Sequence, residues 1–266
     1  MGTVKLAAYV PPDAFGLPLI DLITRAEGKL LELVTAKLRR DDLTSALMGT
    51  AEEFDRALSA WLSSRSITKT LEDIGERTRA ASDSHWAAEL TRAASRPISW
   101  DTSISRQTLQ GWIAQNTARI QTLRSHTITR IREDLETAIL SGTRAEELAA
   151  QWEREGLPTL HGRLRGRANI IARDQLLTLA GQLARAQQEA LGLVEYQWDD
   201  RPSLPRQHRL VHRGRRGARY RWDGPPPGGH PGEAIMCRCR AVAVVSLDRL
   251  AQIEGDPFEL PGATPR

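Results

Sequence analysis

A chain of 266 residues with 40% hydrophobic and 26% charged residues has room for one large or two modest domains, and its composition argues against wholesale disorder or a membrane protein. Aromatic residues make up only 5%, and Trp dominates them, so helices are favoured over a large sandwich. A formal charge of +4 with a pI near 9.4 is a mild excess that could hold a polyanion only where it is concentrated.

The opening segment, MGTVKLAAYVPPDAF, lacks the basic stretch leading into an apolar one that secretion requires. No apolar run nears the roughly 18 residues of a membrane span. A cytoplasmic origin is therefore expected, with Cys237 and Cys239 reduced or metal-bound, because a disulfide between residues so close would close a strained ring. From Asp13 to about Ser95 the pattern reads as several helices, the clearest carrying Leu19, Ile20, Ile23, Leu30, Leu31 and Val34 at helical spacing. Pro97, within Arg96 to Asp101, marks a joint, so residues 1–104 are expected to form an amino-terminal helical extension.

A second helical block, residues 105–192, places Ile128, Ile131, Leu135, Ala138 and Ile139 on one face before stopping at Gly142. Thr143 to Glu146 has a capping-box pattern that opens a helix with Leu148 and Trp152 on its apolar side. After Pro158 a long helix is expected from about Gly162 to Leu191, closed by Gly192, with Ile170, Ile171, Leu177 and Leu183 as core contacts. Beyond it, Val194 to Trp198, Ala218 to Trp222 and Arg240 to Val245 read as short strands between loops rich in Pro, Gly and Arg. The run at 224–232 can propagate neither helix nor ladder. The expected fold is mainly α with a small α+β carboxy-terminal module: a helical stalk carries a short, loop-rich β-sheet in residues 193–246, and residues 247–266 form a flexible tail.

The string from Trp222 and Asp223 through the prolines to His230, Pro231, Gly232 and Glu233, followed by Cys237, Arg238 and Cys239, resembles the closing signature of phage Mu F-like head morphogenesis proteins. Residues 167–175, with Arg173 and Asp174, are similar to that family's helix motif, and residues 191–198, with Tyr196 and Trp198, to the strand entry after it. The resemblance covers roughly residues 105–246. It departs from the family where a compact Asp-x-Arg-x-Arg-x-x-His segment is usual, since this chain reads Asp200-Arg201-Pro202-Ser203-Leu204-Pro205-Arg206-Gln207-His208. The resemblance implies a minor capsid component acting near the portal during head assembly and genome delivery. It implies portal and capsid proteins as partners, no membrane and no small-molecule substrate, and a place in the virion and, during assembly, in the bacterial host cytoplasm. It also implies structural roles for the motif residues just named.

Three groups of residues bear on chemistry. His208, His212, His230, Cys237 and Cys239 are borderline-soft donors, and a structural zinc held by His208, His230, Cys237 and Cys239 is one reading. Cys-x-Cys is tighter than the usual Cys-x-x-Cys bite, and its sulfurs share a face only on extended chain. The plainer reading makes the thiols small buried groups and has the histidines satisfy loop carbonyls. Between Arg201 and Trp222 stand eight arginines and no acidic residue. Arg206, Arg209, Arg213, Arg215, Arg216 and Arg219 are candidates for non-specific contact with double-stranded DNA, against a solvated loop or one facing an acidic capsid surface. A smaller basic group, Arg163, Arg165, Arg167 and Arg173, opens the long helix, and Arg173 or Asp174 is expected to bury against the strand module.

The sequence contains no Gly-x-Ser-x-Gly elbow, phosphate-cradling glycine loop or His-Glu-x-x-His, so no catalytic residue is assigned and a binding protein is expected rather than an enzyme. The alternative is a zinc-stabilised DNA-binding accessory protein. A metal-dependent hydrolase, resting on the spacing of His208 and His212, ranks third.

Overall fold

The structure is a computed structural model that describes residues 3–40, 43–96, 98, 102–157, 164–200 and 210–252, except for the side chains of 48–51 and 164–169. Its elements run in the order β1 (Thr3–Leu6), a 3-10 turn (Asp13–Gly16), α1 (Leu17–Leu38), α2 (Leu43–Trp61), α3 (Ser64–Ala94), α4 (Ser103–Ser141), α5 (Ala145–Glu155), α6 (Leu164–Ala190), β2 (Glu195–Asp199), α7 (Leu210–Arg213), β3 (Arg219–Arg221), β4 (Arg240–Ser246) and α8 (Leu247–Gln252). Among the described residues no helix is long and apolar enough to cross a membrane. The fold is mainly helical with one small sheet.

Two compact units divide the chain, and neither follows chain order. One comprises Met1–Phe15, Gly75–Trp112 and Arg173–Arg266; the other comprises Gly16–Ile74 and Ile113–Ala172.

The second of these is helical. In α1, Leu19, Ile23, Ala26, Leu30, Val34 and Leu38 are buried at intervals of three and four residues, which makes one continuous apolar stripe. Helices α2 and α5 pack against α1. Two ion pairs flank that packing, Lys37 to Glu53 at 2.7 Å and Arg39 to Glu153 at 2.7 Å.

Helix α4 stops where expected. Gly142 takes φ +69°, its N–H bonds the Ile139 carbonyl, and the Thr143 N–H bonds the Ala138 carbonyl at 2.9 Å. That bond pair is the Schellman closure, which only a residue at ease with positive φ completes cheaply. The closure also displaces the next cap. With its N–H committed to α4, Thr143 does not open α5; Arg144 does, with extended backbone at ψ 150°, and its N–H is accepted by Glu147 at 3.4 Å. The glutamate half of the expected box is thus shifted by one residue, from Thr143 and Glu146 to Arg144 and Glu147, and the Arg144 guanidinium, which has no acceptor, does not return the bond.

The first unit holds the sheet, antiparallel throughout, in the order β1-β4-β2-β3. Three strands match the sequence reading; β1, within the stretch read as helical, adds a fourth. Thr3 lies opposite Ser246 and Leu6 opposite Ala243, so four residues form an edge strand on β4. Along β4, Ala241, Ala243 and Val245 are buried, alternating with half-buried neighbours, the period-two pattern of a sheet with one covered face.

Leu6, Ala243 and Val245 form a core with Trp86 and Leu90 of α3, Leu191, Leu193 and Leu250. A second cluster joins Tyr196, Trp198, Trp222 and Ala241. Helix α6 buries Leu176, Leu179 and Leu183 and ends at Gly192, φ +69°, with the Leu193 N–H closing on the Gln188 carbonyl at 2.9 Å. Ile170, expected in the core, is 50% exposed because the buried stripe of α6 runs through Ala172 and Leu176 instead. A buried polar network completes this unit. Asp83 accepts from Arg79 at 2.6 Å, from Ser105 at 2.6 Å and from Gln187 at 3.0 Å, so its charge is paired and both its oxygens are bonded.

Candidate functional site

The proline-glycine segment cannot make a ladder, so it has to be held by something else, and α6 holds it. Gly181 in α6 and Gly232 in the loop face each other without side chains. A Cβ on Gly181 would stand 2.8 Å from the Pro231 carbonyl oxygen, and one on Gly232, φ +91°, would stand 3.0 Å from the Leu177 carbonyl oxygen. Thr178 donates to the Gly232 carbonyl at 3.4 Å, and Asp174 accepts the Met236 N–H at 2.6 Å. Asp174 and Thr178 thus tie the long helix to the turn. Arg173, its neighbour, goes elsewhere: it pairs with Asp13 at 2.8 Å, and Arg238 reaches the same carboxylate at 3.3 Å.

Behind the turn, Tyr196, Trp222 and His230 form one buried aromatic group. Tyr196 lies 4.3 Å from Trp222 and 5.6 Å from His230 between ring centroids. The Tyr196 hydroxyl is 3.0 Å from His230 Nδ1. A neutral ring protonated on Nε2 lets Nδ1 accept the phenol proton. Burial pushes Tyr196 above its ordinary pKa and His230 below its own, so both stay uncharged.

The Trp222 indole N–H donates to Gln188 Oε1 at 3.3 Å, and Gln188 Nε2 donates to the Ala241 carbonyl at 2.9 Å. Gln188, fully buried, therefore bridges β4 and the aromatic group. It was missed in the sequence because a glutamine on a helix carries no spacing signal.

The thiols sit one layer away. Cys237 and Cys239 approach His212 of α7 from one side: His212 Nδ1 is 3.6 Å from the Cys237 sulfur and 3.4 Å from the Cys239 sulfur. Arg238, between them, points the other way to Asp13. The chain entering β4 is thus extended enough for both sulfurs to share a face. Among the described residues, His212, Cys237 and Cys239 form the group whose donor atoms could hold a metal ion, all lying within 4.8 Å of one another. The hydrogen bond between the two thiols holds Cys237 below the usual thiol range and pushes Cys239 above it. Trp198 packs edge-on against His212 at 5.3 Å. His230 is not brought into this group, since Tyr196 occupies its Nδ1, and His208 lies outside the described residues.

The arginines divide. Arg206 and Arg209 lie outside the described residues, as does Arg163, while Arg165 and Arg167 are described in backbone alone. Arg215 is only 8% exposed; it stacks over Trp198 at 5.0 Å and donates to the Pro227 carbonyl. Arg216 pairs with the buried Asp200 at 2.7 Å, yet half of its side chain stays in solvent. Arg213 and Arg219 are exposed. Asp223 is exposed and pairs with Arg221 at 2.8 Å.

The family model described as phage Mu protein F like protein matches residues 129–242. An uncharacterized protein of Haemophilus influenzae (strain ATCC 51907 / DSM 11121 / KW20 / Rd) is 32% identical over 141 residues, which is 53% of this chain and 30% of the relative. The match therefore spans less than a third of that protein's length. No solved structure matches the chain. The matched segment contains α5, α6, β2 and β3, the proline-glycine turn and the Cys237–Cys239 group. Over residues 129–242, less than half of the chain, the sequence is similar to the phage Mu protein F like family.

Proposed function

We propose that this protein is a structural minor head component, carried in the virion, that takes part in phage head assembly near the portal by docking to portal and capsid proteins. Similarity of residues 129–242 to the phage Mu protein F like family supports a head-morphogenesis role. One observation favours docking over turnover: Tyr196, Trp198, Trp222 and His230 are all buried, committed to packing and hydrogen bonds within the module rather than lining an open cleft. Rigid presentation of a surface is what such packing supplies.

The test is genetic and biochemical. A phage lacking this reading frame is expected to yield few infectious particles, with yield restored in trans, and tagged protein is expected to co-purify with the portal protein. Normal virions formed without the gene product would overturn the reading.

A second contact, with packaged duplex DNA, is favoured by the exposure of Arg213, Arg216 and Arg219 between α7 and β3. Binding of this kind is non-specific, and log affinity falls with log salt by about 0.9 for each phosphate neutralised. Replacing these three arginines by Ala is expected to flatten the slope by up to about 3 on that basis; an unchanged slope assigns the surface to a protein partner.

A further inference from the structure

We propose that His212, Cys237 and Cys239 bind one zinc ion, which clips the α7 turn to the entry of β4. The site is independent of where the protein acts, and it differs from the ligand set that spacing alone suggested, because His212 stands in the place given to His208 and His230.

The argument begins with distance. In a tetrahedral site with Zn–S about 2.3 Å and Zn–N about 2.0–2.1 Å, a sulfur and a nitrogen stand about 3.6 Å apart. The two such separations here are 3.6 and 3.4 Å. Both sulfur–nitrogen separations thus already suit a shared ion, and all three donor atoms lie within 4.8 Å of one another.

Donor chemistry selects the metal. Two thiolates and an imidazole are soft to borderline, so they suit zinc and exclude magnesium and calcium, which take oxygen. Two thiolates also cancel the charge of Zn²⁺, and the imidazole is neutral. The loaded cluster carries no net charge, which burial permits at little cost. Cys237 and His212 are 5% and 7% exposed, so the ion would be largely shielded from water.

The backbone holds the ligands in place. The Cys237 N–H bonds the Ala234 carbonyl at 2.8 Å, Met236 takes φ +58°, and its N–H is fixed by Asp174. These constraints stop the tight Cys-x-Cys bite from collapsing. Across the site, Trp198 fixes the ring plane of His212. The three residues supply three of the four tetrahedral positions, and the fourth is filled by water or a further donor.

The ion's role in this site is structural. The described segments 210–218 and 223–236 are rich in Gly, Pro and Arg and leave Leu210, Val211 and Ile235 exposed, and such segments gain from a metal crosslink. His212 and Cys237 are 25 residues apart, so the ion closes a loop that the short strands only partly restrain.

The experiment uses the full chain without a polyhistidine tag. Metal analysis of the purified protein is expected to find about one zinc per chain. The zinc absorption edge is expected to show two sulfurs at about 2.3 Å and at least one nitrogen at about 2.0–2.1 Å. The cobalt-substituted protein should show thiolate-to-cobalt charge transfer.

Cys237→Ser, Cys239→Ser and His212→Asn should each weaken zinc binding by more than the roughly 10–100-fold that loss of an outer-shell partner costs. His126→Gln, at an exposed site in α4, should leave it unchanged. Because a variant could fail to fold, wild-type chelation supplies a second reading: removing zinc should lower Tm, and returning it should restore Tm. Folded wild-type protein that neither contains nor takes up zinc, zinc with no sulfur neighbour, or zinc retained in all three variants overturns the proposal.

Discussion

His230 shows how one side chain turns burial into a pH response. It is 4% exposed and bonded to Tyr196 at 3.0 Å. Desolvation is the main cause of its lowered pKa, Arg185 adds to it, and Glu233 and Glu189 oppose it. The folded state therefore binds this proton less readily than the unfolded chain does. The resulting stability is fully present above the ordinary histidine value, about 6.5, and is lost as pH falls through the lower folded value. Thermal melts of wild type should thus show Tm falling as pH drops below about 6.5, and His230→Asn, which still accepts from Tyr196, should flatten that part of the profile. Identical slopes would show that His230 is not responsible. The sequence marked His230 as a motif residue, but not its partner: a tyrosine hydroxyl 34 residues away is found only when β2 meets the turn. His212 was among the donors named from the sequence, but its place beside the thiols comes from α7 lying against Trp198, which no spacing shows.

At the scale of elements, the contact between α6 and the turn rests on two glycines, and it makes one substitution change sign with position. Glycine in an exposed helix interior costs roughly 0.5–1 kcal/mol relative to alanine. Gly28 in α1 has open space where a Cβ would go, so Gly28→Ala should stabilise by about that amount. The same change at Gly181 drives a methyl to 2.8 Å from the Pro231 carbonyl oxygen, which is backbone and cannot rotate away. Overpacking of this kind costs about 1–3 kcal/mol, so Gly181→Ala should be net destabilising. Urea unfolding of the two variants checks it; a stabilised Gly181→Ala would mean that the turn does not dock there. The element pattern itself was largely legible. Helical spacing located the clearest helices, Gly142 and Gly192 located two helix ends, and the Pro-, Gly- and Arg-rich loops delimited three strands. Two features were not legible, for local reasons. Thr143 looks like a cap until the Schellman closure claims its N–H, and Thr3–Leu6 is too short to show a period.

For the molecule as a whole, chain order and spatial order disagree. The unit that holds the sheet takes residues from the beginning, middle and end of the sequence. Reading along the chain could not anticipate this, because the pairing of Thr3 with Ser246 depends on which edge of β4 is left open after β2 takes the other. Leu6, fully buried among Trp86, Leu90 and Val245, is the apolar anchor of that closure. Leu6→Ala should cost about 2–5 kcal/mol and expose the β4 edge to other chains. Calorimetry together with light scattering would detect both effects; an unchanged Tm and a monodisperse sample would show that β1 is dispensable.

That pairing also sets a timetable. The ribosome makes Arg240–Ser246 more than two hundred residues after Thr3–Leu6, an interval of roughly ten to fifty seconds at about 5–20 residues per second. Through that interval the first strand has no ladder to join. The nascent chain must keep a β-prone segment unpaired while its helices form, so slowing translation within the helical stretch lengthens the period in which neighbouring polysomes can capture it.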